Sequence, residues 1–275
     1  MDFVESQIFS NDDFRDDPLP VAEYSDCEFR SCNFESCNLS DFRFVSCKFT
    51  SCNLSLVTLN NTSMSDLHFD ECKILGVNFF QCNQFSLSLS FLACNMGEST
   101  FAGMKLKKTV MRRCDLSNVD FEQADLTNSV LESCNLTNAK FYRTILEKAD
   151  FRKSHSFIID PEANRVRKAK FDLISLPGLL NKYGIHNVTV YNRTLSKAED
   201  LAARFENGKA IEFDKLINHS EDVDIILTCT GANYVVLTKE IFERIAPKGK
   251  KAIIVDLAVP QDVAQEIIES ENVDY

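Results

Sequence analysis

No run of apolar residues in this sequence approaches the ~18 that a membrane-spanning helix needs, and no basic-plus-apolar stretch of the export type opens it. These absences predict a cytoplasmic protein with no membrane contact. Histidine is scarce: His68, His155, His186 and His219 are scattered, with neither metal-ligand nor triad spacing, so neither chemistry is expected. Bases are outnumbered by acids, 30 to 41, and the net charge of −11 argues against direct nucleic-acid binding. Glycine is also scarce, eight in 275 residues, and no G-x-G-x-x-G loop occurs. Without an export signal, the eleven cysteines face a reducing compartment, and their spacing has to explain them.

The charge is unevenly placed. Residues 1–28 hold nine acids and one base, residues 29–185 sixteen acids and nineteen bases, and residues 186–275 sixteen acids and ten bases. A length of 275 residues leaves room for two domains. The organisation expected is an acidic N-terminal segment (1–24), a first domain (25–185) and a second (186–275).

The first domain keeps a five-residue beat. Phe29, Phe34, Leu39, Phe44, Phe49 and Leu54 begin a series that stays apolar to Phe79, in a chain only 44% hydrophobic. From Phe101 the beat resumes two residues out of phase and runs through Leu106, Met111 and Leu116 to Phe151. Five matches neither the helical period of 3.6 nor the strand period of 2. A chain that turns a corner every five residues can keep such a face inside, and four corners close a square coil of twenty residues. Stacking coils about 4.8 Å apart pairs their backbone groups. Phe29, Phe49 and Phe69 then fall in one column, and Phe101, Phe121 and Phe141 in another.

Two residues before each central position the side chain is mostly small, and ten of the eleven cysteines sit there, among them Cys32, Cys52 and Cys134. One positional rule places them all as core filler, whereas a zinc site needs four ligands converging on one point. The slip around Gln81–Met96 implies a loop or bulge, where Phe85, Leu87, Leu89 and Phe91 alternate like a strand with one apolar face. Phe171, twenty residues past Phe151, marks a last coil, with Pro161–Asn164 turning a corner. Ser175 and Pro177 read as the start of a capping helix and Gly184 as its end.

The units Ala124-Asp125-Leu126 and Cys134-Asn135-Leu136 follow the pattern A(D/N)Lxx, and residues 25–173 resemble the pentapeptide-repeat proteins. That resemblance implies an all-β, right-handed quadrilateral β-helix with a C-terminal helical cap, and a homodimer formed through the cap helix. Some members of the family, of the quinolone-resistance type, mimic DNA and bind a topoisomerase. That version needs an acidic coil, and here bases slightly outnumber acids over residues 29–185.

From His186 the pattern changes. Strands are expected near 188–191, 210–213, 223–230 and 251–257, with helices near 196–205, 238–246 and 261–269, an alternation that predicts a parallel sheet. The segments VTVYNRTLSKAEDLAARF, DIILTCTGA and IIVDLAVPQD together resemble the NADP-binding domain of glutamyl-tRNA reductase, a relative of shikimate dehydrogenase acting in tetrapyrrole (heme) biosynthesis. The resemblance implies that Arg193, with Asn192 and Thr194, meets the adenosine 2′-phosphate of NADP, a task suited to a guanidinium. It places Thr230, Gly231, Asp256, Ala258, Val259 and Pro260 along the nicotinamide side.

Upstream of Val188, however, there is neither a first strand nor a glycine loop, so the pyrophosphate cradle is missing. In strand order 3-2-1-4-5-6 the first strand lies between the second and the fourth, so its loss leaves two strand edges open. The expectation is an incomplete α/β Rossmann-like half-domain that binds no cofactor unless completed, and then NADP. No catalytic residue and no metal ligand are assigned; Cys229 lies in TCTGA, away from the place of the reductase nucleophile. The leading expectation is a non-catalytic binding or scaffold protein with a macromolecular partner. The alternatives are an NADP-dependent reductase related to glutamyl-tRNA reductase and a gyrase-protecting DNA mimic.

Overall fold

The computed structural model describes residues 2–172, 175, 177–180, 187–205, 207–219, 222–228, 230, 232–249, 251–256, 258 and 260–275. The chain divides into two compact units, Met1–Gly184 and Ile185–Tyr275.

The first unit is a square coil. On one face β1 (Asp2–Glu5), β3 (Ala22–Ser25), β5 (Arg43–Val45) and β7 (Ser63–Ser65) pair in parallel. On the next face β2 (Ile8–Ser10), β4 (Glu28–Arg30), β6 (Lys48–Thr50), β8 (Leu67–Asp70), β9 (Leu89–Leu92), β10 (Val110–Arg112) and β11 (Val130–Glu132) do the same. Single bridges such as Asn33↔Asn53 and Asp120↔Lys140 continue the ladders on the other faces. The register is twenty residues except across the slip, where Phe69↔Phe91, Lys73↔Asn95 and Asn78↔Thr100 each step by twenty-two.

The corners explain the period. The residue two places after each central position adopts a positive φ, as at Ser36 (60°), Asp41 (67°) and Asn61 (56°). At some of these corners the N–H that follows donates back to the central carbonyl, Cys37 to Phe34 at 2.9 Å and Thr62 to Leu59 at 3.1 Å, which closes a turn whose third residue has φ > 0. Asn, Asp and Ser tolerate that region best among residues with a side chain, and they fill most of these corners.

Inside, like stacks on like. Phe29 and Phe49 stack at 4.7 Å and Phe49 and Phe69 at 5.1 Å; Phe101, Phe121 and Phe141 form the second column at 5.6 and 5.4 Å. The ten described cysteines are free thiols, nine of them buried and Cys37 half-buried; Cys229 lies outside the described residues. Their position has a polar role as well as a small volume. Cys52 Sγ donates to the Phe29 carbonyl and Cys47 Sγ to that of Tyr24, both at 3.3 Å, and Thr62, Ser129 and Asn164 make the same contact with the carbonyl 23 residues earlier.

Three expectations are corrected. Residues 1–24 are not a segment ahead of the coil: β1 and β2 pair with β3 and β4, and Phe14 and Leu19 are buried. The beat Val4, Phe9, Phe14, Leu19 runs beneath the acidic surface residues. At the slip, the strand covers only Leu89–Leu92, and Phe85 is 84% exposed. Two extra residues lie between Asn83, bridged to Ser63, and Leu89, paired with Leu67, so the intervening chain is pushed outward. At the C-terminal end, Ser175 donates its hydroxyl to the Asp172 carbonyl at 2.7 Å, and the helix begins two residues later, at Pro177.

The last coil forms as expected, with Phe171 stacked on Phe151 at 5.2 Å. Helix α1 (Pro177–Leu180) lies against the coil: Leu179 packs on its core, and a Cβ on Gly178 would come within 2.3 Å of the Phe157 carbonyl oxygen. The expected helix end at Gly184 lies outside the described residues.

The second unit holds two separate parallel sheets among its described residues. One pairs β12 (Asn187–Asn192) with β13 (Asn207–Glu212); the other has β14 (Ile225–Thr228), β15 (Ala252–Asp256) and β16 (Val273–Asp274) in that order. Helix α2 (Leu195–Ala202) follows β12 and packs on β13, where Gly208 leaves room for the Ala202 carbonyl: a Cβ would sit 1.9 Å from that oxygen. Helices α3 (Lys239–Ile245) and α4 (Gln265–Ile268) cover one side of the second sheet through Phe242, Ile245, Ile254 and Ile267. The apolar run of β14 suits a central strand buried on both faces, yet Ile225, Ile226 and Leu227 are only half-buried.

Candidate nucleotide-binding site

The residues singled out in the sequence occupy two loop systems. The first is the turn after β12. Asn192 Oδ1 accepts the Thr194 N–H at 2.9 Å, which fixes the turn, and Thr194 stands at the N-cap of α2 without a side-chain cap bond. Arg193 is exposed and forms no ion pair among the described residues, so its guanidinium is available to an anion.

The second system joins the ends of β14 and β15. Asp256 Oδ1 accepts from the Thr228 hydroxyl at 2.8 Å and from the Ala258 N–H at 3.0 Å; its Oδ2 accepts the N–H of Asp262 at 2.8 Å and of Val263 at 3.2 Å. Thr230 donates its N–H and its hydroxyl to the two oxygens of Asp262, at 2.9 and 2.7 Å, and its Oγ1 accepts from the Ala232 N–H at 3.1 Å. Pro260 is exposed, and Gly231 and Val259 lie outside the described residues.

Asp262 was not singled out in the sequence. It is fully buried, and its side chain ties the loop after β14 to the loop after β15. Nothing in local spacing marks it, because its partner Thr230 is 32 residues away. The polar groups of this second loop system are therefore engaged with one another. The arrangement supplies at the first turn a cation that has no ion pair among the described residues, and at the second two carboxylates bonded to their own loops. No group of three or more His, Cys, Asp or Glu among the described residues could hold a metal ion.

Among the described residues β12 and β14 belong to different sheets. A dinucleotide pyrophosphate is held by the turn that leaves the first strand of a Rossmann sheet.

The coil is of the pentapeptide-repeat class: residues 27–66, 94–132 and 114–152 match the pentapeptide repeats, in eight copies. Residues 175–275 match shikimate/quinate 5-dehydrogenase. This C-terminal part is homologous to glutamyl-tRNA reductases. It is 37% identical over 95 residues to that of Carboxydothermus hydrogenoformans (34% of this chain, 21% of the relative). To that of Geobacter sulfurreducens it is 42% identical over 92 residues (33% and 21%). The chain thus spans about a fifth of the length of the curated relatives it matches. Among solved structures, QnrB1, a plasmid-mediated fluoroquinolone resistance protein, aligns with TM-score 0.47 at 16% identity over 67% of this chain and 96% of that one. HetL, a pentapeptide repeat protein involved in heterocyst differentiation regulation from Nostoc sp. strain PCC 7120, aligns with TM-score 0.38 at 11% identity (61% and 86%). The chain thus joins a run of pentapeptide repeats to a part homologous to one segment of the glutamyl-tRNA reductases. No helix among the described residues is long and apolar enough to cross a membrane.

Proposed function

We propose that the chain acts as a non-catalytic binding scaffold and that its second unit no longer holds NADP. The observation that carries this reading is the separation of β12 from β14, which leaves Arg193 without a pyrophosphate cradle beside it. The inward bonding of Thr230 and Asp256 supports it, because those groups would have to give up internal partners to meet a nicotinamide. Calorimetric titration of the whole chain with NADPH should give no saturable heat up to about 1 mM ligand. Saturable binding in the micromolar range, lost in Arg193→Ala, would restore the reductase reading.

The coil's function is then to bind a protein. A topoisomerase partner would require a coil that imitates the charge of DNA, and the coils from Lys105 to Lys170 carry more bases than acids. Quinolone-inhibited gyrase should therefore recover no supercoiling activity when this protein is added; recovery would assign the coil to the DNA-mimic group. The cap helix offers little for dimerisation, since Leu179 and Gly178 of α1 are already engaged by their own coil.

A further inference from the structure

One corner of the coil carries a charge pattern with a direction. The positive-φ residues between the face of β3, β5 and β7 and the face of β4, β6 and β8 form a single exposed column. Its N-terminal half reads Ser6, Asp26, Ser46, Asp66, and its C-terminal half Lys108, Asn128, Lys148, Lys168. Ser88 lies midway, as the pairs Leu67↔Leu89 and Ser90↔Val110 fix. Lys108, Lys148 and Lys168 form no ion pair among the described residues, and Asp66 accepts from the Ser46 hydroxyl and meets the exposed His68, both at 3.4 Å.

Turned end for end about Ser88, this column is its own complement. Asp66 falls opposite Lys108 and Asp26 opposite Lys148, while Ser46 meets Asn128 and Ser6 meets Lys168. The adjoining columns on the β3 face obey the same rule: Glu5 falls opposite Arg167, and Arg43 opposite Asp125. No like charges coincide in these three columns, whereas on the β4 face Glu28 would fall opposite Asp150 and Arg30 opposite Arg152, so the contact is confined to the corner and the β3 face. Pairing of the same face in parallel would set Asp26 on Asp26 and Lys148 on Lys148. A two-fold axis across two antiparallel coils returns each column to itself reversed, the condition for an isologous interface. Phe85, the most exposed large apolar side chain, lies on the coil through which that axis passes, where a residue and its symmetry copy come together.

We infer that two copies of this chain associate side by side and antiparallel along this corner, with the acidic coils of one against the basic coils of the other. The occupant is a second copy because one surface supplies both signs in mirrored order; a polyanion would answer only the C-terminal half.

Sedimentation velocity of the full chain tests it. A dimer is expected at about 50 mM salt, with affinity falling about tenfold or more by about 500 mM, since exposed pairs are screened over that range. The double variant Lys108→Asp/Lys148→Asp makes the column acidic except at Lys168, and Asp26→Lys/Asp66→Lys makes it wholly basic. Each should be monomeric alone, and mixing the two should restore a dimer. Both substitutions place residue types already found at these corners, and circular dichroism checks that each variant is folded. A monomeric wild type, variants that still dimerise alone, or folded variants that fail to pair on mixing would overturn the inference. So would a wild-type dimer indifferent to salt.

Discussion

Phe49→Ala should unfold the coil at markedly lower denaturant than the wild type. The ring is buried, stacked between Phe29 and Phe69 and met edge-on by Phe34 and Phe44 at 6.0 and 5.6 Å. Truncating such a side chain costs ~3–5 kcal/mol, a large share of the ~5–15 kcal/mol that holds a domain together. The walls cannot close on the void, because each wall is a ladder hydrogen-bonded to the coils above and below it. Since each coil touches only its neighbours, the damage should spread through the stack from the middle. Urea titration followed by circular dichroism measures it, and Phe85→Ala is the control: an 84% exposed ring should leave the midpoint within about 0.5 kcal/mol of wild type.

The second large effect is alkaline. Burial pushes the thiols of Cys32, Cys47 and Cys82 from 9.0 up to about 11. Cys94 and Cys114, each hydrogen-bonded to the next thiol in its column and also buried, rise to about 12. Below pH 9 both the folded and the unfolded chain keep these protons. Between 9 and 11 the unfolded chain releases them while the folded one does not, so the stability of the folded state falls as pH rises. One pK unit corresponds to about 1.4 kcal/mol, and the raised thiols outnumber Cys52 and Cys134, which neighbouring thiols hold low, so the coil should lose stability through this window. A pH series of urea midpoints shows the slope. The triple variant Cys32→Ser/Cys47→Ser/Cys82→Ser should flatten it, because a hydroxyl does not ionise there and Ser129 already makes the equivalent contact with a carbonyl.

Much of the first unit is legible in the sequence because the coil repeats one physical demand every five residues. Phe29, Phe49 and Phe69 identify a column before any coordinates do, and the cysteine rule follows from the same spacing. The first coil escapes notice because Asp12, Asp13, Asp16 and Asp17 surround Phe14 and dominate the composition there, although the beat itself is unbroken. The corner conformations are less legible, since a period reports which residues face inward and says nothing about φ. Leu56, at φ 58°, occupies a corner that no propensity would give it. Phe85 fits an alternating pattern, but the two inserted residues decide its position.

In the second unit the sequence lacks a G-x-G-x-x-G loop, and that leads to the expectation that β12 and β14 have no common neighbour. The network of Asp256, Asp262 and Thr230 cannot be read in the sequence, because it joins side chains from loops far apart in the chain. The resemblance alone puts Asp256 along the nicotinamide side; in the structure its oxygens bond to its own loop.

Hydrogen exchange of the whole chain, with and without NADPH, tests the central claim most directly. The account predicts slow exchange along the coil ladders and no change on adding NADPH at Arg193, Thr194, Thr230 or Ala258. New protection at both loop systems together would contradict it.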